Sequence, residues 1–142
     1  MQTFLPYSDF FNTARILDRK RLGKQRVEAI QIMDALTKGT GWSHHPAVKM
    51  WEGHLGRLAI YTCCMIIEWM DRGYKDTLLP RATAYAFLAD PASFADPIWM
   101  NIRAFHSSHR AALLAKDPAH YGQFGWQEAP KIEYWWPTKE LS

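Results

Sequence analysis

Cysteine is almost missing from this chain: there are two in 142 residues, adjacent at Cys63-Cys64 inside an apolar run. Neighbours on a helix point in different directions, so a disulfide between them is not expected and packing is their natural role. The disulfide frameworks of small secreted domains are thereby excluded. Long apolar runs are missing too. The longest, Leu58 to Met70, is interrupted by Thr62 and Glu68 and is too short to span a bilayer. No basic segment leading into an apolar core opens the chain, so no signal peptide is expected and the protein is placed in the cytoplasm, off the membrane.

Several catalytic signatures are also absent. Gly39 and Gly41 lack the context of a phosphate-cradling loop, and no serine nucleophile elbow occurs. The histidines fall into two groups, His44, His45 and His54, then His106, His109 and His120, without an HExxH or a Cys/His finger spacing. Neither a metal nor a cofactor is expected.

What remains is a chain of 48% hydrophobic and 14% aromatic residues, including seven tryptophans, with a net charge of only +3. Its length suits one compact domain, residues 1–142, with a substantial core, and a monomer is expected. Against that modest net charge stands a dense cluster of cations. Arg15 leads into Asp18-Arg19-Lys20-Arg21-Leu22-Gly23-Lys24-Gln25-Arg26-Val27-Glu28, which runs directly into the apolar spacing of Val27, Ile30, Met33 and Leu36. The charges therefore sit at the start of a helix, as a fixed basic surface rather than a mobile arm. A polyanion, with nucleic acid first, is the partner such a surface suits; a plain solvated face is the alternative.

Periodicity and punctuation predict an all-α fold of about three main helices with short ones between them. Ser8 reads as the N-cap of a helix carrying Phe10, Phe11, Ala14 and Leu17. The helix beginning in the basic stretch ends near Thr37, before the loop Lys38-Gly39-Thr40-Gly41. Trp42-Ser43-His44-His45-Pro46 opens one long central helix that runs to Asp71, bent near Gly53 and Gly56, and Arg72-Gly73 is its stop. A short helix is expected within Arg81 to Leu88. Another follows Asp96-Pro97, from Ile98 to Lys116, and Asp117-Pro118 begins a turn through Tyr121. The tail carries Trp126, Tyr134, Trp135 and Trp136. Three successive rings cannot all face inward from an extended chain, so at least one is expected to face solvent or stack on a base.

In this order of elements the chain resembles the pyrimidine-dimer DNA glycosylases of the endonuclease V type, in a divergent bacterial or phage branch. The resemblance rests on the basic helix start Arg21 to Arg26, on Trp42 to Pro46, and on Arg72-Gly73-Tyr74 with Lys75-Asp76-Thr77. It continues through Ser108-His109-Arg110, Lys116-Asp117-Pro118 and Tyr121 to the aromatic end. It implies a DNA-repair enzyme that works on damaged or modified double-stranded DNA by amine attack on the sugar C1′, a Schiff base and β-elimination. Chemically the choice is apt, because an α-amine is a weaker base than a lysine and more of it is free at neutral pH.

Carried onto this sequence, the resemblance makes the Met1 amine the nucleophile, with Lys24 as the alternative. It gives phosphate or base contacts to Arg19, Arg21, Lys24, Arg26, His44, His45, His109, Arg110, Lys116, Tyr121, Trp135 and Trp136. Two positions depart from the pattern. Gln2 follows Met1, a side chain long enough to block methionine removal. Gln25 stands where the apolar pattern puts the family's catalytic glutamate, so that Glu28, one turn on, could substitute only if the helix were rotated. An inactive nucleic-acid-binding protein on the same fold therefore stands as the alternative. An enzyme of free nucleotides or RNA, with a closed pocket, is a third reading.

Overall fold

The computed structural model describes residues 1–39 and 41–137, so Thr40 of the first loop lies outside the described residues. Its helices are α1 (Phe10–Ile16), α2 (Arg19–Lys38), α3 (Pro46–Lys49), α4 (Leu55–Asp71), α5 (Leu79–Leu88), α6 (Arg103–Lys116) and α7 (Pro118–Tyr121), with short 3-10 turns between α5 and α6 and after α7. No β-strand occurs among the described residues. The fold is all-α.

Polar residues set the boundaries. Asp9, not Ser8, caps α1 by accepting from Asn12 N–H at 2.8 Å. Asp18 caps α2 in the same way, so the basic cluster lies within the helix from its first residue. Gly39 closes α2 in the left-handed conformation, with φ 65° and its N–H on Ala35 O, a geometry a side chain would strain. At the start of α5 the capping group comes from Asp76, whose carboxylate accepts from both Leu78 N–H (2.9 Å) and Leu79 N–H (2.8 Å).

The expected long helix from Pro46 is two helices. Between α3 and α4 the chain turns at Gly53, at φ 79°, and this break drives Trp51 into the core, where it is fully buried. The helix expected from Ile98 is likewise divided, with extended backbone at Ile102 before α6 begins. That break seats Trp99 against Trp51, its indole N–H on Met50 O at 2.8 Å.

α4 is the central element and packs on α1, α2 and α5. Leu58, Tyr61, Met65 and Ile66 of α4 meet Leu22, Ile32 and Met33 of α2, all at or near zero exposure. The buried stripe of α2 thus runs through Leu22, Gln25, Ala29 and Ile32, and Val27 is exposed. Cys63 and Cys64 are free, and burial, then their proximity, pushes the Cys64 thiol up to about 11. Both pack against the core.

Candidate active site

Residues 1–6 run extended through the molecule without a sheet to pair with. Backbone polar groups buried without partners cost about 1–3 kcal/mol each, so a segment of this kind needs side chains to satisfy it. Three helices and Gln2 itself supply them. From α2, Glu28 accepts from Gln2 N–H at 3.2 Å, while the Gln25 carboxamide donates to Gln2 O at 2.7 Å and accepts from Phe4 N–H at 2.6 Å. Gln2 bends its own Oε1 back to Thr3 N–H at 2.9 Å. From α4, the Tyr61 hydroxyl reaches Phe4 O at 2.9 Å. From α6, His109 Nδ1 accepts from Leu5 N–H at 2.9 Å, His106 Nδ1 lies 2.7 Å from Leu5 O, and Arg110 donates to Pro6 O at 2.7 Å. Trp51 fixes the Thr3 hydroxyl at 3.0 Å.

Met1 emerges from this clamp into a cleft of about 430 Å³ lined by Gln2, Phe4, Lys20, Arg21, Lys24, Gln25, Glu28, Lys116, Ile132 and Tyr134. Within α2, Lys20, Lys24 and Glu28 share one face at spacings of four, and Arg21, Gln25 and Glu28 lie at i, i+4 and i+7. No helix rotation is needed to bring Glu28 in. Its Oε2 meets the Gln25 carboxamide nitrogen at 3.3 Å, and Lys24 Nζ stands 3.9 Å from Oε1. His45 is held low, first by burial and next by the positive Met1 amine, with the Glu28 charge opposing. His45 therefore lies in the electrostatic reach of both groups.

Residues 1–79 match the family described as pyrimidine dimer DNA glycosylase. The chain belongs to this family. The match spans α1 to the start of α5 and so contains the segment, Gln25 and Glu28 of α2 and most of the cations of the cleft. No curated protein and no solved structure matches this chain.

For a member of the pyrimidine dimer DNA glycosylase family, the distribution of free and committed cations decides which groups can meet a phosphate. Lys20, Lys24 and Lys116 are exposed at the rim of the cleft. Arg21 is angled into it by Asp18, which also accepts from the Tyr121 hydroxyl. Burial works to raise the Asp18 carboxyl, but those hydrogen bonds and the Arg21 charge outweigh it and hold Asp18 low.

Several expected contacts are placed otherwise. Arg26 is bound to the buried carboxylate of Asp76 and lies 4.4 Å over the Trp69 ring, an internal strut rather than a phosphate clamp. His109 is fully buried; Leu5 N–H can only donate, so Nδ1 is bare and Nε2 carries the proton. Burial, then the neighbouring His106, keeps it neutral, down to about 3. Arg110 is tied to Glu128 at 2.8 Å. Tyr121 is fully buried on Asp18. These four residues cannot serve as surface contacts without dismantling what they hold. Arg19 is exposed with its guanidinium 5.0 Å over Tyr74, away from the cleft, and His44 is exposed on the loop before α3. Trp135 is anchored through its N–H to Ser108 at 3.0 Å, and Trp136 stands edge-on to His45 and Tyr134, so both are half-buried.

The cleft thus joins Met1, Gln25, Glu28, Arg21, Lys24 and Lys116. Gln2, Phe4, Lys20, Ile132 and Tyr134 complete it without having been named as contacts. For Lys20 the signal was present, since it lies one turn before Lys24. Gln2 and Ile132 carried none. Among the described residues, no three His, Cys, Asp or Glu side chains are grouped to hold a metal ion, and none is long and apolar enough among the helices to cross a membrane.

Proposed function

We propose that this family member excises a damaged or modified pyrimidine from double-stranded DNA and nicks the resulting abasic strand through a Schiff base. The Met1 amine is the nucleophile and Glu28 the acid–base group. Lys20, Arg21, Lys24 and Lys116 engage the phosphates. One observation carries the reading: the Glu28 carboxylate holds the N–H of the residue next to the amine, in the same cation-lined cleft.

In the first step the amine nitrogen bonds to C1′ and the bond from C1′ to the base breaks. The proton shed by the amine passes through Glu28 to the departing base. Opening of the sugar breaks the C1′–O4′ bond, O4′ leaving with the electron pair and taking a proton from solvent, and leaves an iminium whose positive charge the Glu28 carboxylate balances. Loss of a C2′ proton then expels the 3′ phosphate by β-elimination. A positioned acid–base group of this kind contributes about 10²–10⁴-fold, and a clamped amine gains by proximity as well.

The presence of Gln25 does not argue against catalysis, because all its polar atoms are committed to the clamp. Borohydride trapping on dimer-containing and abasic duplexes tests the reading. Wild-type protein should form a covalent adduct, Glu28→Gln should lower its rate about 10²-fold or more, and one residue added ahead of Met1 should abolish it. An adduct that survives the extension and is lost in Lys24→Arg would move the nucleophile to Lys24. Salt-sensitive binding with no adduct on any duplex would leave a binding protein.

A further inference from the structure

The clamp leaves two donors without a partner, Gln2 Nε2 and His109 Nε2, and of these two residues only Gln2 lines the cleft. Gln2 is 4% exposed, and its Oε1 must face Thr3 N–H, because that amide can only donate. Its Nε2 is therefore fixed as the other end of the carboxamide, and this buried nitrogen has no hydrogen-bond acceptor. Two N–H bonds without a partner are costly, and the neighbouring Gln25, with the same side chain in the same segment, has both ends used. Gln2 lines the cleft beside Met1 and Glu28.

We propose that Gln2 Nε2 donates to the O2 carbonyl of the pyrimidine being excised, an assignment that rests on the amine mechanism above. When the Met1 nitrogen bonds to C1′, the C1′–N1 bond breaks and its electron pair leaves on the pyrimidine, shared between N1 and O2. The amine proton ends on the base through Glu28, so atoms and charges balance with no other reactant. Whatever is attached to C1′ must lie close to the attacking nitrogen, and Gln2 is the next residue along. A donor at O2 strengthens its bond as charge develops there, which is the condition for accelerating the step rather than merely binding substrate. It also selects for bases with a carbonyl beside the glycosidic nitrogen. Purines present a ring carbon and N3 at that place.

Two substrates separate this role from a structural one. A duplex with an abasic site needs the amine and Glu28 but has no base to stabilise. Gln2→Glu keeps an acceptor for Thr3 N–H but replaces the donor by a carboxylate oxygen near Glu28; Gln2→Met removes donor and acceptor without adding a charge, so the ratio must fall in both variants. Neither is expected to expose a new terminal residue, since both side chains are long. The expected result is that the ratio of excision from a panel of pyrimidine lesions, a cyclobutane dimer and thymine glycol, to trapping on the abasic duplex falls about 10²-fold in Gln2→Glu, the loss typical of one oxyanion donor. Gln2→Met should show the same direction, with thermal unfolding confirming that both variants fold. An unchanged ratio, whether both rates fall or neither does, overturns the assignment and makes the donor structural or water-bound. Wild-type protein that traps the abasic duplex but releases no pyrimidine from the panel also overturns it, while leaving the amine mechanism standing. Absence of any wild-type adduct sinks the mechanism itself.

Discussion

Replacing Gln25 by glutamate would restore a carboxylate at the disputed position, and the geometry says it should harm the protein. The side chain is 1% exposed, and its nitrogen donates to Gln2 O at 2.7 Å while standing 3.3 Å from Glu28 Oε2. An ionised glutamate turns that donor into an acceptor. Gln2 O then loses its partner, about 1–3 kcal/mol. Two carboxylates also meet at close range, about 4 kcal/mol at an effective dielectric of about 20. The variant side chain can escape by taking a proton, which caps the loss at about 1.4 kcal/mol per pH unit above its ordinary value near 4.3. Near pH 8 the expected loss is about 3–5 kcal/mol, or about 10–15 °C in Tm for a chain of this size. Because the folded state holds the added proton more tightly than the unfolded chain, the deficit grows as pH rises above the ordinary glutamate value and nearly vanishes below it. Thermal unfolding of wild type and Gln25→Glu side by side, near pH 5 and pH 8, measures it. Trapping should not improve. A pH-independent deficit, or a stable variant with faster trapping, would refute the structural account of Gln25.

Other expectations follow from single features. Replacing Lys20, Lys24 and Lys116 with alanine should flatten the dependence of log affinity on log salt by about 2–3 in a duplex-binding titration, since each phosphate contact contributes about 0.9. Gly56→Ala gains about 1 kcal/mol of helix preference, yet its new Cβ would stand 2.7 Å from the Phe94 ring; overpacking of about 1–3 kcal/mol should prevail, lowering the unfolding midpoint in urea. His109, held down to about 3 by burial and by His106, stays neutral when folded while the unfolded chain takes a proton. Its contribution is present above about pH 6.5 and lost on acidification, by about 1.5 kcal/mol between pH 6.5 and 5. Compared with wild type, His109→Gln, which retains an acceptor for Leu5 N–H, should show a correspondingly flatter acid limb in calorimetry.

Local chemistry was legible in the sequence and long-range chemistry was not. The stop at Arg72-Gly73 and the restart at Asp117-Pro118 follow from nearest neighbours, and so does the placing of the basic stretch on a helix. The break at Gly53 escaped because Leu55 to Trp69 keeps helical spacing on its own, and nothing local requires Trp51 to turn inward. His109 and Arg110 were given to the nucleic acid through the family resemblance, and nothing local on their helix points to the partners they have. Their partners, Leu5 and Pro6, are 104 residues away. Gln25 read as a lost glutamate for the same reason. Its partners at Gln2, Phe4 and Tyr61 are contacts only the folded chain creates.

Those distant partners share one logic. The first residues of a domain are ordinarily the loosest part of it, which is a poor place for the proposed nucleophile, an amine that must approach C1′ in one orientation. Here the segment leading to Met1 carries its own apolar anchors, Phe4 and Leu5, and these bury it. Burial then strips its amides of water and forces polar side chains into the interior. Thr3, Gln25, Tyr61, His106 and His109, otherwise anomalous in so apolar a core, are that response. Apart from Thr3, which belongs to the segment itself, each was drawn from a helix that also contributes to the hydrophobic centre, so the amine inherits the rigidity of the bundle. The same burial explains why Glu28 can reach the segment without rotating α2: residue 25 faces the segment's carbonyls from inside, and residue 28, one turn on, meets its first N–H at the rim. In the proposed mechanism Gln25 and Glu28 divide the work that a single glutamate was expected to do. Gln25 fixes the segment, and Glu28 is left free on one side to face the cleft.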